Sequence, residues 1–275
     1  MPAKNRKENR NMTEQPIGVM DSGLGGLSVW QALIQCLPEE NFIYLGDSGF
    51  CPYGSKSAAE ILPRVTHIVD FLEEKGCKAI VVACNAITAA SIDFLRQHYP
   101  IPFIGMEPAI KPASVHTRTR AVGVLATERT LQGRLFATTR SKYAQGIRVV
   151  AIAGNGLVEQ VEVLDFDGDA TMDLLRRYLR PMLTENIDHL VLGCTHYPFL
   201  AASIRRIVGD GVCIVNPAPA VARHTLSVLE QMQIRHPPNG SVGRSIFYTT
   251  GDTEKMKHML SFIQAADREV TPVRL

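Results

Sequence analysis

The chain has 275 residues, of which 45% are hydrophobic and 20% charged, and its 29 Lys and Arg residues nearly balance 27 Asp and Glu residues. This composition is typical of a soluble globular protein with one large domain or two modest ones. The net charge of +2 argues against a nucleic-acid partner, which would need a strong basic field. Membrane insertion is not expected, because no apolar run approaches the roughly 20 residues of a membrane span.

The N-terminal residues 1–15 are polar and charged, and no apolar segment follows that could act as an export signal. We therefore predict a disordered extension at residues 1–15 and a cytoplasmic protein. Six cysteines would allow a disulfide framework, but a chain of this length needs no such cross-links. Reduced thiols are the expectation.

Short β-branched runs alternate along the chain with longer amphipathic stretches. The runs predicted to be buried strands are Ile17–Met20, Phe42–Leu45, Ala79–Ala83, Phe103–Gly105, Ala121–Leu125, Arg148–Ile152, His189–Leu192, Val212–Val215 and Ser245–Thr250. The stretches predicted to be helices are Ala58–Lys75, Arg129–Tyr143, Ala170–Met182, Ala218–Met232 and Thr253–Ile263. Such alternation predicts parallel sheets covered by helices.

The chain contains a weak internal repeat, because two strand-and-loop units recur in the same order in its second part. The similar segments are 17–22 with 122–127 and 81–85 with 191–195. We predict two pseudo-symmetric parallel-sheet α/β domains with the active site in the cleft between them. The predicted bounds are 16–107 plus 218–275 for the first domain and 108–217 for the second.

Candidate site residues follow the predicted strands, because α/β proteins bind ligands at the carboxyl ends of their strands. The glycine-rich loop 21–26 could bind an anion through backbone N–H groups, or it could be only a tight turn. It fits no nucleotide-binding motif, since Ser28 stands where the third glycine would be. The other candidate segments are 51–55, 84–85, Thr127 with Thr130, and 194–198.

Cys84 and Cys194 each follow an apolar strand and are expected to open a helix, where the helix dipole favours a thiolate. Inert core thiols are the alternative. A zinc site formed by both cysteines and His196 lacks the usual ligand spacing and a fourth ligand. A Cys–His acyl-transfer site would leave the second cysteine unexplained.

Two thiols facing each other across a cleft suit the inversion of a carbon atom next to a carboxylate. One thiolate removes the proton from one face, and the other thiol delivers a proton to the opposite face. An ordinary thiol pKa of about 8.5 is close enough to neutral for either role. The substrate would be an amino acid or a similar carboxylate.

With these motifs in view, the sequence resembles the glutamate racemase family of cofactor-independent amino-acid racemases, from about residue 16 to residue 263. The motifs that carry the resemblance are Asp21–Gly26, Pro52–Gly54, Ala83–Asn85, Glu107–Ala109 and Gly193–Pro198. The related aspartate-specific branch typically has Glu where this chain has His196, so the resemblance favours glutamate.

The resemblance implies racemisation of glutamate by 1,1-proton transfer, supplying D-glutamate for peptidoglycan, without cofactor or metal and with a homodimer as the assembly. It implies that Cys84 and Cys194 are the two proton carriers. The residues implied to contact the substrate are Asp21, Ser22, Tyr53, Gly54, Asn85, Ala86, Thr195 and His196. Those implied to support them are Glu162, Thr127 and Thr130.

Two positions depart from the family pattern. Ala86 replaces the Thr that usually follows Cys-Asn, and Phe50 replaces an Arg that usually precedes Pro-Tyr-Gly. These departures keep two alternatives open: a racemase or decarboxylase of the same superfamily acting on another carboxylate, and a non-catalytic amino-acid-binding protein. Neither departure affects the two thiols.

Overall fold

The structure is a computed structural model of the chain. It describes residues 12–107, 109–237, 240–266 and 268–275. Of the predicted N-terminal extension, residues 1–11 lie outside the described residues. Residues 12–14 form a helical turn, and the Thr13 carbonyl accepts a hydrogen bond of 2.7 Å from Lys78 Nζ. Among the described residues, no helix is both long enough and apolar enough to cross a membrane.

Strands and helices alternate as the apolar runs predict. The strands are β1 (Ile17–Asp21), β2 (Phe42–Gly46), β3 (Ala79–Val82), β4 (Phe103–Gly105), β5 (Ala121–Ala126), β6 (Arg148–Ala153), β7 (His189–Gly193), β8 (Cys213–Val215), β9 (Ser245–Thr249) and β10 (Val270–Pro272). The α-helices are α1 (Leu27–Cys36), α2 (Ala58–Glu74), α3 (Asn85–His98), α4 (Ile110–His116), α5 (Glu128–Gln132), α6 (Arg134–Tyr143), α7 (Leu157–Glu162), α8 (Asp169–Thr184), α9 (Ala201–Val208), α10 (Ala218–Gln231) and α11 (Thr253–Phe262). A 3-10 helix, Tyr197–Leu200, precedes α9.

These strands form two sheets in which every pairing is parallel. The first sheet has the order β10-β9-β2-β1-β3-β4, and the second has the order β6-β5-β7-β8. The order β2-β1-β3-β4 thus recurs as β6-β5-β7-β8, so β5 corresponds to β1 and β7 to β3. This repeat confirms the predicted fold class, while the domain bounds stay a prediction.

The central strands are buried because helices cover both faces of the sheet. All five residues of β1 are buried, as a near-continuous apolar run predicts for a parallel strand. Alternate side chains enter two different cores: Val19 and Val81 lie in one, and Met20 and Val82 in the other. This packing fixes the carboxyl ends of β1 and β3, from which the candidate site residues extend.

The helix predicted at Arg129–Tyr143 is wrong as a single element, because the chain breaks at Gly133 into α5 and α6. Gly133 has an extended backbone with ψ of 144°, which no α-helix can continue. A Cβ atom at this position would lie 2.9 Å from the Ala89 side chain of α3. The glycine therefore lets the chain pass close to α3.

Candidate active site

The loops after β1 and β7, together with α7, come together where the two sheets meet. Ser28 Oγ donates a hydrogen bond of 2.9 Å to the Thr195 carbonyl, and Thr195 Oγ1 donates one of 3.3 Å to Asp21 Oδ1. The Leu24 N–H donates to Glu162 Oε1 at 2.7 Å. These three bonds join the first sheet to elements of the second, and residues of both form one buried polar cluster.

Asp21, the last residue of β1, is fully buried in this cluster. Its Oδ2 accepts a hydrogen bond of 2.9 Å from the Gly23 N–H. Burial raises the pKa of Asp21, although nearby His196 and the N–H groups of Gly23 and Gly26 favour its charged form. A further positive charge beside Asp21 would therefore lower the pKa of this carboxyl group.

The glycine-rich loop after β1 provides close packing for His196 and Glu162. A Cβ atom on Gly23 would lie 2.1 Å from Glu162 Oε1, and one on Gly25 would lie 2.2 Å from His196 Nδ1. Only glycine leaves room for such contacts. Close packing against Glu162 and His196 therefore accounts for these two glycines.

Cys84 is a buried thiol at the first turn of α3, where it is the N-cap residue. Its Sγ lies 3.5 Å from Ser22 Oγ, which serves as the hydrogen-bond acceptor. Burial and then the Asp21 charge raise the pKa of Cys84 to about 12, against the opposing effect of hydrogen bonds with Ser22 and the Ile87 N–H. The surroundings of Cys84 thus favour its protonated form.

Cys194 has a different partner, since its Sγ lies 3.7 Å from His196 Nδ1. The other ring nitrogen, His196 Nε2, lies 2.7 Å from Glu162 Oε1. Burial opposes a charge on the His196 ring, but hydrogen bonds with Cys194, Cys51 and Glu162 raise its pKa well above the usual value. Cys194 therefore faces a ring whose charged form these hydrogen bonds favour.

The expected helix directly after Cys194 is replaced by a turn and the short 3-10 helix Tyr197–Leu200. The helix-dipole argument consequently applies to Cys84 at α3, whereas the positive environment of Cys194 comes from His196, whose charged form the hydrogen bond with Glu162 favours. All six cysteines lie among the described residues, and all are free thiols, as expected.

Asn85 follows Cys84 and opens α3 with a buried amide group. Neither its Oδ1 nor its Nδ2 has a hydrogen-bond partner among the described residues. Buried polar atoms are nearly always paired in folded proteins, so an unpaired amide beside a reactive thiol is a feature of ligand sites. Ala86, the next residue, is also buried and carries no hydroxyl to share this role.

The Pro-Tyr-Gly turn packs against the start of α5. A Cβ atom on Gly54 would lie 2.8 Å from the Thr127 side chain. Thr127 caps α5 by accepting from the Thr130 N–H, and the two threonine hydroxyls lie 2.9 Å apart. The buried Tyr53 donates its hydroxyl to Asp47 Oδ2 at 2.6 Å. The structure thus brings together the predicted residues of this turn, with the Tyr53 hydroxyl already engaged.

Sequence reasoning missed the groups that hold this turn. Asp47 at the end of β2 is fully buried and also accepts two hydrogen bonds from the Arg64 guanidinium, of 2.8 and 2.7 Å. Its place after a strand was the available signal, whereas nothing local indicated Arg64 on α2. Phe50 packs edge-to-face on the Tyr53 ring at 5.4 Å, so the departure from Arg adds an aromatic contact.

Cys51, which the sequence analysis named only as part of the candidate segment 51–55, is a half-buried thiol near the imidazole of His196. Burial raises the pKa of Cys51 to about 11. Its sulfur, a His196 ring nitrogen and a Glu162 oxygen all lie within 4.8 Å of one another. The zinc ligand set weighed from the sequence had named Cys84 and Cys194 with His196, and it omitted this thiol.

The sequence of this chain matches a model of the Asp/Glu/hydantoin racemase family over residues 17–225. This match defines the class of protein, an amino-acid or hydantoin racemase. A glutamate racemase of Methylococcus capsulatus is 44% identical over 263 residues, which are 94% of this chain and 96% of that protein. A glutamate racemase of Ectopseudomonas mendocina is 41% identical over 261 residues, which are 94% of this chain and 98% of that protein.

Solved structures agree with the sequence relatives. A glutamate racemase isoform from Bacillus anthracis superposes with a TM-score of 0.87 at 32% identity, covering 96% of this chain and 98% of that one. Escherichia coli glutamate racemase, solved with L-glutamate and the activator UDP-MurNAc-Ala, superposes with a TM-score of 0.81 at 32% identity, covering 94% and 97%. The chain therefore belongs to the glutamate racemase family, and the resemblance inferred from its motifs is confirmed.

Proposed function

We propose that the protein interconverts L- and D-glutamate by passing the α proton through Cys84 and Cys194, and that the D-glutamate supplies peptidoglycan synthesis. One observation carries this proposal: two buried thiols follow corresponding strands, β3 and β7, of the two sheets, and each has its own polar partner. Relatives give the substrate, since glutamate racemases were solved with D-glutamate from Francisella tularensis and with L-glutamate from Escherichia coli.

In this mechanism, one cysteine thiolate takes the α proton and breaks the Cα–H bond. The electron pair left on Cα is delocalised into the adjacent carboxylate. The second cysteine, as a thiol, then delivers its proton to the opposite face of Cα, which inverts the centre. The first cysteine ends as the thiol and the second as the thiolate, so protons and charges balance.

Each thiol needs a neighbour that lowers the energy of its thiolate. For Cys194 this neighbour is the His196 imidazolium, held by Glu162. For Cys84 this neighbour is the Ser22 hydroxyl together with the start of α3. The positive ammonium group of the bound substrate would lower the pKa of Cys84 further. Asp21 is the group proposed to hold that ammonium.

The substrate carboxylate is proposed to bind at the first turn of α3 and at Thr195. Helix N-termini present backbone N–H groups to anions, and the unpaired Asn85 amide supplies a further donor. Ala86 contributes only its backbone N–H. Tyr53, Gly54, Thr127 and Thr130 are proposed to lie beside the bound substrate. We further propose that the chain divides into two domains at residues 108 and 218, and that the protein is a cytoplasmic homodimer that needs no cofactor.

The test is exchange and racemisation of L-glutamate in D₂O, followed by proton NMR and circular dichroism. The wild type should exchange the α proton and lose optical activity, before and after exhaustive dialysis against chelator. Cys84→Ala and Cys194→Ala should each abolish racemisation, because one face of Cα loses its proton carrier. Cys36→Ala, a half-buried thiol on α1, is the matched control and should retain turnover.

Three results would contradict the proposal in different ways. Normal turnover in either Cys84→Ala or Cys194→Ala would exclude the two-thiol mechanism. Exchange with another amino acid but not with glutamate would favour the alternative substrate. Binding of glutamate by calorimetry without any exchange would favour the non-catalytic alternative.

A further inference from the structure

Cys51 is a third thiol at the edge of the site, and the proposed racemisation does not use it. Cys51 lies in the loop after β2, Glu162 ends α7, and His196 lies in the loop after β7. Three separate segments therefore bring a sulfur, a carboxylate oxygen and a ring nitrogen within 4.8 Å of one another. Such convergence of unlike donors is typical of a metal site rather than of apolar packing.

The donor set matches Zn²⁺, which binds thiolate sulfur, imidazole nitrogen and carboxylate oxygen in tetrahedral geometry. Metal–ligand bonds of about 2.0–2.3 Å place tetrahedral ligand atoms about 3.4–3.6 Å apart. The three ligand atoms already lie within 4.8 Å of one another, so any pair wider than this spacing needs only a small approach. The 2.7 Å contact between His196 and Glu162 must open slightly, and rotation of the long Glu162 side chain can open it.

An opening that reaches Cys51 and Glu162, but not the buried His196, lies beside the cluster and has room for a water molecule as the fourth ligand. It has a volume of about 240 Å³, and its lining includes Ser48, Cys51, Glu159, Glu162, Asp252 and Lys255. Two acidic groups at its rim, Glu159 and Asp252, attract a cation, and Lys255 only partly offsets them. Ser48 Oγ already donates to Glu162 Oε2 at 3.2 Å and would orient that carboxylate toward the metal.

We propose that Cys51, Glu162 and His196 bind Zn²⁺ with water as the fourth ligand, and that bound zinc stops proton transfer at Cys194. Binding replaces the thiol proton of Cys51 and the proton between His196 Nε2 and Glu162, and both protons pass to solvent. Zinc affinity therefore rises with pH. No oxidation or reduction is involved.

The inhibition follows from the two nitrogens of one ring. With Nε2 on the metal, His196 keeps its remaining proton on Nδ1, which faces Cys194. The bond to zinc also fixes the position of the ring, so that the 3.7 Å contact between His196 Nδ1 and Cys194 Sγ can no longer adjust to the proton that Cys194 gains or loses. Glu162 is drawn to the metal at the same time. This inhibitory half rests on the proposed function, whereas metal binding does not.

Binding is tested on the full chain, freed of metal with chelator, by titration with Co²⁺ and competition with Zn²⁺. We expect a sulfur-to-cobalt charge-transfer band with the intensity of one thiolate, and its loss on adding Zn²⁺. Cys51→Ala should lose the band, and its zinc inhibition is measured relative to its own metal-free rate, whereas Cys36→Ala, another half-buried thiol, should behave as the wild type. The zinc concentration for half inhibition should rise more than about 10-fold in Cys51→Ala, because the loss of even an outer-shell partner costs about 10–100-fold in metal affinity.

A band that persists in Cys51→Ala, or no band at one equivalent of Co²⁺, would overturn the site. Zinc binding at Cys51 without loss of racemase activity would refute the proposed inhibition but support the proposed metal site. If Cys51→Ala does not fold, X-ray absorption at the zinc edge of the wild type decides: one sulfur ligand supports the proposal. Two sulfurs would place the metal on Cys84 and Cys194 and refute it.

Discussion

Replacing Glu162 by Gln tests whether the charge behind His196 drives chemistry at Cys194. Glu162 Oε1 accepts from the Leu24 N–H and from His196, both at 2.7 Å, and a Gln oxygen can keep only neutral versions of these bonds. A hydrogen bond to a charged group contributes about 1.5–3 kcal/mol, and a neutral one about 0.5–1.5 kcal/mol. The loss of about 1–1.5 kcal/mol of this stabilisation lowers the pKa of His196, because the hydrogen bond with Glu162 is one of the causes that raise it.

The assay is the pH dependence of kcat/KM for both enantiomers. Because activity needs the His196 proton, the alkaline limb of the profile should move to lower pH. Both kcat/KM values must fall by the same factor, since the two enantiomers have equal free energy. Substrate deuterated at Cα separates the thiols: the isotope effect should rise only for the enantiomer whose deuteron Cys194 removes.

Glu159→Gln, at an exposed position of the same helix α7, is the matched control and should leave the profile unchanged. An unchanged profile in Glu162→Gln would refute the reasoning that this carboxylate sets the charge of His196. Isotope effects that rise equally for both enantiomers would show that Glu162 does not act through Cys194.

Three further changes give separate tests. Ala86→Thr restores a hydroxyl worth about 0.5–1.5 kcal/mol to substrate binding and should lower KM for glutamate with little change in kcat; a raised KM in steady-state kinetics would mean a rebuilt pocket. Gly25→Ala puts a Cβ atom 2.2 Å from His196 Nδ1 and should lower kcat about 100-fold, whereas full activity would show that the loop yields freely. Burial raises the pKa of Cys77 from 9.0 to about 12, so between these pH values the folded state keeps a proton that the unfolded chain loses. The free energy of unfolding should therefore decrease as the pH rises from 9.0 to about 12. Urea unfolding of Cys77→Ala should not show this decrease, and the same pH dependence in the variant and the wild type would contradict the prediction.

The parallel strands were predictable because burial on both faces leaves a strong signal. β1 is apolar along its length, and it does lie at the centre of its sheet. β10 was missed because Val270–Pro272 is three residues long and contains a proline, which is tolerated only at a sheet edge. The break at Gly133 was missed because its cause, the close approach of Ala89, lies on another helix.

The candidate site divides in the same way. Cys84 and Cys194 could be named because both follow apolar strands, and family motifs supplied Asp21, Asn85 and His196. Their individual roles stay predictions until the variants are measured. Cys51 was counted only as part of a weak turn motif, since its relation to His196 depends on how the two sheets are placed. The local sequence pattern predicts where strands end, but it does not predict contacts between loops that are distant in sequence, because tertiary packing determines them.

The hydrogen bonds between the sheets have a consequence for the working cycle. Asp21–Thr195 and Leu24–Glu162 join the two sheets through residues that also set the charge around Cys84 and Cys194. If glutamate enters by a separation of the two sheets, both bonds must break, and the proposed partners of Cys84 and Cys194 would then move apart. The proposed proton transfer would then occur only when the two sheets are closed on the substrate, and the open enzyme would not deprotonate other amino acids.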